Sequence, residues 1–69
     1  MTEREQNRYG VDVRREPAGW RVVVLDPEGT EVLTRACGTE EEARSFASAV
    51  RQHIGWLSPE RFREYYRLP

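Results

Sequence analysis

Cysteine and histidine occur once each in this 69-residue chain, as Cys37 and His53, and lysine does not occur at all. A single cysteine excludes a disulfide bond within the chain, and one cysteine with one histidine cannot supply the ligands of a typical structural zinc site. A Cys–His catalytic pair needs both side chains within hydrogen-bond reach, but we expect Cys37 at a strand end and His53 on a helix. The sequence therefore predicts no catalytic residue, no metal and no cofactor, and we expect the protein not to be an enzyme.

Long apolar runs are also absent, and neither sign of charge predominates. No run could span a bilayer, and the charged first residues lack the apolar segment of a signal peptide. The eleven basic residues, all arginine, are offset by twelve acidic residues, which gives a net charge of −1. A chain without a positive surplus is not drawn to nucleic acid or to anionic membranes as a whole. We therefore expect a cytoplasmic protein that does not bind membranes.

The short length limits the hydrophobic core. Small domains bury only about 60% of the surface that their unfolded chain exposes, so their stability is marginal. Disulfides and metals are the usual compensation, and both are excluded here by composition. Oligomerisation remains, and it makes a homodimer or a complex with another protein the expected state.

Three segments have the patterns of β-strands. The first alternates apolar residues with polar ones, and its apolar members are Tyr9, Val11 and Val13. Residues 20–25 are apolar on both faces, which is typical of a central strand. Residues 30–37 form the third strand, after an Asp-Pro-Glu-Gly sequence that favours a type I turn. A three-stranded antiparallel meander follows from this order.

Two helices are predicted after the strands. Thr39 and Glu42 have the spacing of a capping box, and an apolar stripe of one helix face follows: Ala43, Phe46, Ala47, Val50, Ile54 and Leu57. Ser58 and Pro59 then have the pattern of a new helix start, although one continuous helix kinked near Pro59 is the alternative. The predicted fold class is α+β (βββαα), with residues 1–7 as a flexible segment and residues 8–69 as one domain.

The uncovered sheet face is one candidate interface. If the helix covers one face, the alternation along the strands should place these residues on the other: Asp12, Arg14, Arg21, Val23, Leu25, Glu31 and Arg35. Aliphatic residues of a central strand that are rimmed by charge and open to solvent are typical of an interaction surface. The alternative is that a terminal segment or the second helix covers Val23 and Leu25.

The aromatic residues after residue 55 are a second candidate. Trp56, Phe62, Tyr65 and Tyr66 occur among several arginines, and tryptophan, tyrosine and arginine are enriched at binding hot spots. One small core does not easily bury all of these rings. They could therefore form an interface with another chain, or the second helix could fold back and complete the core.

Residues 19–50 contain a strand, an Asp-Pro-Glu-Gly turn, a second strand and a capped helix with the sequence Glu-Glu-Ala-Arg. This arrangement resembles the AP2-like, arm-type DNA-binding domain of phage-type integrases, whose open sheet face enters the major groove. The resemblance implies that Arg14, Arg21 and Arg35 would contact DNA. Because the net charge disfavours DNA binding, the preferred function is a self-associating, non-enzymatic interaction or regulatory module, with a DNA-binding or accessory domain as the alternative.

Overall fold

The computed structural model describes residues 7–69, which fold as a three-stranded sheet followed by two helices. The strands pair in the order β1-β2-β3, and both pairs are antiparallel. The predicted α+β meander, with β2 in the centre, is therefore confirmed. The elements are β1 Gly10–Glu16, β2 Gly19–Leu25, β3 Glu31–Cys37, α1 Glu40–Trp56 and α2 Pro59–Tyr66.

The β2–β3 turn is held by the side chain of Asp26. Its Oδ1 accepts hydrogen bonds from the backbone N–H groups of Glu28 at 3.0 Å and Thr30 at 2.8 Å. Gly29 has a φ of +87°, a left-handed conformation that glycine adopts without steric cost. The turn predicted from Asp-Pro-Glu-Gly thus forms from local interactions.

Capping side chains determine where both helices begin. The Thr39 hydroxyl accepts a hydrogen bond from the N–H of Glu42 at 3.1 Å, and the Ser58 hydroxyl accepts one from the N–H of Arg61 at 3.2 Å. Pro59 occupies the first turn of α2, where its missing N–H is not needed. The structure therefore has two separate helices rather than one kinked helix.

Helix α2 ends in a Schellman motif. Arg67 is left-handed, with φ 54° and ψ 46°, and its N–H donates to the carbonyl of Glu64 at 3.2 Å. The N–H of Leu68 donates to the carbonyl of Arg63 at 2.8 Å, which completes the hydrogen-bond pattern of that motif. The turn directs Leu68 back toward the protein, and Leu68 packs on the hydrophobic core.

The core lies between the sheet and the two helices. Phe62 of α2 is completely buried together with Tyr9, Val24 and Val50. A second buried group lies beside it and consists of Val22, Ala43 and Ala47. Phe62 therefore belongs to the core, and through it α2 joins the buried cluster.

Asn7 connects the start of the described chain to the junction between the helices. Its Nδ2 donates to the carbonyl of Leu57 at 3.2 Å, and its Oδ1 accepts from the N–H of Tyr9 at 3.0 Å. The remainder of the predicted flexible segment, residues 1–6, lies outside the described residues.

Candidate interaction surface

A β-bulge decides which β3 side chains face α1. Val24 pairs with Leu33 but Leu25 pairs with Glu31, so Val32 is an extra residue between these two pairs. An extra residue interrupts the strict alternation of side chains along a strand. Glu31 therefore lies on the open face, which we define as the sheet face opposite α1, whereas Leu33 and the alternate residues after it lie on the α1 face.

Arg35 is consequently on the α1 face. It pairs with the buried Val22, and its guanidinium carbon lies 4.6 Å from the ring centroid of Phe46 on α1. This distance is typical of a cation–π contact. The prediction that Arg35 shares a surface with Arg14 and Arg21 is wrong, because the bulge shifts the pattern of β3 by one residue.

Arg14 and Arg21 do lie on the open face, where each contacts a carboxylate. Arg14 is 2.8 Å from Glu31 and 3.6 Å from Asp12, and Arg21 is 2.8 Å from Glu16. The hydrogen bond from Arg21 lowers the pKa of the Glu16 carboxyl. The hydrogen bond to Glu31 raises the pKa of Arg14, which keeps its guanidinium charged. The two arginines are thus matched by three acidic side chains.

The Arg14–Glu31 ion pair also covers the middle of β2. Arg14 is opposite Arg21 and Glu31 is opposite Leu25, so the ion pair passes diagonally over the residue between them, Val23. Val23 is 0% exposed, and Leu25 is half-buried. The expectation that Val23 is open to solvent is therefore wrong, because the long side chains of neighbouring strands reach across it.

A continuous series of aromatic rings leads from the core to the surface at the helix junction. We call it the aromatic ladder, and it consists of Tyr9, Phe62, Tyr66, Tyr65, His53 and Trp56. Ring centroids are 4.9 Å apart for Tyr9 and Phe62, 4.9 Å for Phe62 and Tyr66, and 5.0 Å for Tyr65 and Tyr66. The inner end is buried, whereas Trp56 and Tyr65 at the outer end are 71% and 62% exposed.

His53 lies between the two exposed rings. Its ring centroid is 4.6 Å from that of Tyr65 and 6.4 Å from that of Trp56. Its Nδ1 is 2.6 Å from the hydroxyl of Tyr66, a hydrogen bond whose donor depends on the histidine tautomer. The sequence prediction of the aromatic surface did not include His53, although its i, i+3 spacing from Trp56 places both on one side of α1.

A shallow recess adjoins the outer end of the ladder. Its volume is about 270 Å³, and it is lined by Leu57, Arg61, Glu64 and Tyr65. Tyr65, which lines the recess, and the exposed Trp56 both contact His53, so the exposed ring and the recess are neighbours. The predicted interface did not include Arg61 and Glu64. Their i, i+3 spacing on α2 was the sequence signal that they share a surface.

Of the predicted interface residues, the structure brings four to the helix junction. Trp56 and Tyr65 are exposed, Tyr66 is half-buried and Phe62 is buried. Val23 and Leu25 lie apart from them, on the open face of the sheet. The exposed part of the candidate surface is therefore the outer end of the aromatic ladder with the adjoining recess.

Cys37 and His53 are at opposite ends of α1. Cys37 lines a groove of about 510 Å³ at the start of this helix, together with Phe46 and Arg35. Because His53 is 13 residues after the first residue of α1, a rise of 1.5 Å per residue separates the two ends by about 20 Å. They do not form a catalytic pair. Within residues 7–69, no group of three or more His, Cys, Asp or Glu side chains is placed to hold a metal ion.

The hydrogen bond of Tyr66 gives a first prediction. Burial, and to a smaller degree the charge of Tyr65, raises the pKa of Tyr66 above its ordinary value of 10.0. As the pH rises, the unfolded chain releases this proton before the folded protein does. Protonated Tyr66 therefore stabilises the fold below pH 10, and this stabilisation is lost as the pH rises through the pKa of the folded state. We expect Tyr66→Phe to lower the free energy of unfolding by about 1 kcal/mol near neutral pH, because His53 loses a partner.

Urea denaturation of both proteins near neutral pH and again above the ordinary tyrosine pKa measures this effect. The difference in the free energy of unfolding between wild type and Tyr66→Phe should shrink at the higher pH, because only the wild type loses stabilisation there. A constant difference across the two conditions would contradict the assigned environment of Tyr66.

Comparisons of the chain with protein-family models, with curated proteins and with solved structures found no match. Among the described residues, no helix has both the length and the apolar character needed to cross a membrane.

Proposed function

We propose that this protein is a small, non-enzymatic interaction module that self-associates through the outer end of the aromatic ladder. The observation that carries the proposal is the exposure of Trp56 and Tyr65, at 71% and 62%, on one side of the helix junction. Single exposed apolar residues are common on protein surfaces. Two large rings joined by a third, here His53, form a contiguous patch.

The contacts that hold these rings in place favour binding. Tyr65 contacts both His53 and Tyr66, and Tyr66 contacts the fully buried Phe62. Side chains that are held before binding lose less conformational entropy when a partner arrives. Tryptophan and tyrosine also bury large areas per side chain, which is why they dominate interface energies.

The DNA-binding alternative has less support. Arg14 and Arg21 are engaged by Glu31, Asp12 and Glu16 on the open face. A phosphate backbone approaching this face would meet these carboxylates and would have to separate the ion pairs. The cytoplasmic location expected from the sequence stays a prediction.

Sedimentation equilibrium of the full chain over a wide range of concentrations tests self-association. We expect the average mass to rise from the monomer value of 8.1 kDa toward twice that value. Amide NMR spectra of a dilution series should show shifts at His53, Trp56 and Tyr65, because these residues leave the interface when the complex dissociates. The exposed middle of α1, around Ser48, should show none.

Two outcomes would contradict the proposal. One is a protein that remains monomeric at every concentration. The other is a set of amide shifts at Arg14 and Arg21 on addition of a mixed-sequence DNA duplex, with affinity that falls steeply as salt increases. That second result would favour the DNA-binding alternative.

A further inference from the structure

A projecting ring and a recess lie close together at the helix junction. Trp56 is 71% exposed, and the recess of about 270 Å³ begins at Leu57, the next residue. Trp56 does not line the recess of its own chain. Leu57 and Tyr65 provide apolar surface in it that the ring of another copy can contact.

The charges around the recess are complementary to themselves. Arg61 and Glu64 both line it, are both exposed and carry opposite charge. In a two-fold symmetric dimer the same patch is present on both sides, so a residue i that contacts j is matched by a residue j that contacts i. Arg61 of one copy can then face Glu64 of the other, twice in the same interface. A strongly acidic partner would instead repel Glu64, and a strongly basic partner would repel Arg61.

A dimer at this surface must use more than the two exposed rings. A standard interface buries about 800 Å² on each partner, which is roughly a sixth of the 5263 Å² of this chain. Trp56 and Tyr65 supply only part of that area. The exposed side of α2 around Arg61 and Glu64 must supply the rest.

We infer that the partner is a second copy of this chain, bound across a two-fold axis, with Trp56 of each copy in the Leu57–Arg61–Glu64–Tyr65 recess of the other. The inference rests on the proposed function, because it names the symmetry and the contacts of the same surface. It adds that the recess is filled only in the dimer and that the charges of Arg61 and Glu64 control the pairing of the two copies.

The first test replaces Trp56 by alanine. The ring is mostly exposed, so its removal should change the stability of the monomer little. The unfolding midpoint at a concentration where the protein is monomeric measures this. The dissociation constant of the dimer should rise about thirty-fold or more, as it does at central hot-spot residues. Ser48→Ala is the control, because Ser48 is exposed on the same helix but lies about two turns before Trp56.

The second test exchanges the charges. Arg61→Glu alone and Glu64→Arg alone each place like charges opposite one another in a symmetric dimer, so both variants should associate more weakly than the wild type. An equimolar mixture should recover dimerisation. In the mixed dimer the introduced glutamate of one copy faces the introduced arginine of the other, and the native Arg61 faces the native Glu64. Both substitutions keep α2 intact, since they put a negative charge near its start and a positive charge near its end.

The outcomes separate the inference from the proposed function. A monomeric wild type overturns both. A wild-type dimer that is unaffected by Trp56→Ala overturns the inference alone, and self-association then uses other residues. Loss of dimer in Trp56→Ala, with no recovery in the mixture of charge variants, overturns the two-fold arrangement. Loss in each single variant and recovery in the mixture support the inference.

Discussion

Replacing Phe62 by alanine is expected to lower the free energy of unfolding by about 3–5 kcal/mol. Phe62 is 0% exposed and is the largest completely buried side chain in the described residues. It packs against Tyr9 from the chain before β1, Val24 from the sheet and Val50 from α1. Its removal would leave a cavity where these separate parts of the chain meet.

The effect is large relative to the stability of so short a chain. A domain below about 70–80 residues rarely obtains more than about 3–5 kcal/mol from its single core, so we expect Phe62→Ala to be mostly unfolded at room temperature. Circular dichroism during urea titration measures this. Tyr65→Ala is the matched control, because Tyr65 lies on the same helix and is 62% exposed.

The Phe62 experiment also separates core from interface. A Phe62→Leu variant keeps most of the buried volume, and we expect it to remain folded with a smaller loss of stability. If Phe62→Ala unfolds at the same urea concentration as the wild type and only association is weakened, then Phe62 contacts a partner and its assignment to the core is wrong.

Gly19→Ala is expected to have the second largest effect on folding, a loss of about 2–4 kcal/mol. Gly19 begins β2 with a φ of +147°, and a Cβ at this position would lie 2.9 Å from the backbone carbonyl oxygen of Cys37. A residue with a side chain rarely adopts this backbone conformation. Because the close atom belongs to the backbone of β3, the sheet itself would have to shift.

Two other glycines separate the effect of the backbone conformation from the effect of the close approach to Cys37. Gly29 has a φ of +87° but open space around it, so Gly29→Ala should cost about 1 kcal/mol from backbone conformation alone. Gly10 has neither a positive φ nor a close neighbour, and Gly10→Ala should be nearly neutral. Equal urea midpoints for the Gly19 and Gly29 variants would show that the contact with Cys37 contributes nothing.

The sequence by itself predicted the strands, the β2–β3 turn and the helix starts, because these depend on interactions between near neighbours. Asp26 holds its turn through bonds to residues two and four positions away. Thr39 and Ser58 begin their helices through bonds to residues three positions away. Such interactions have the same geometry in any fold, so their spacing is readable in one chain.

Tertiary structure decided which side chains remain exposed. Phe62, Tyr65 and Tyr66 are close in sequence and similar in chemistry, yet Phe62 is buried and Tyr65 is 62% exposed. The position of α2 makes this difference, because it places Phe62 in one buried cluster with Tyr9, Val24 and Val50. These residues are 12 to 53 positions away, and no local pattern encodes such contacts.

In the sheet, too, the surface depended on residues that are distant in sequence. The period of two in β3 placed Arg35 beside Arg14 and Arg21, but one bulged residue, Val32, moved it to the other face. Val23 was assigned correctly to the open face, but its exposure depended on Arg14 and Glu31 meeting across β2. Local spacing determined the strands and helices, whereas register and long side chains from other elements determined the surface, because both depend on residues that are distant in sequence.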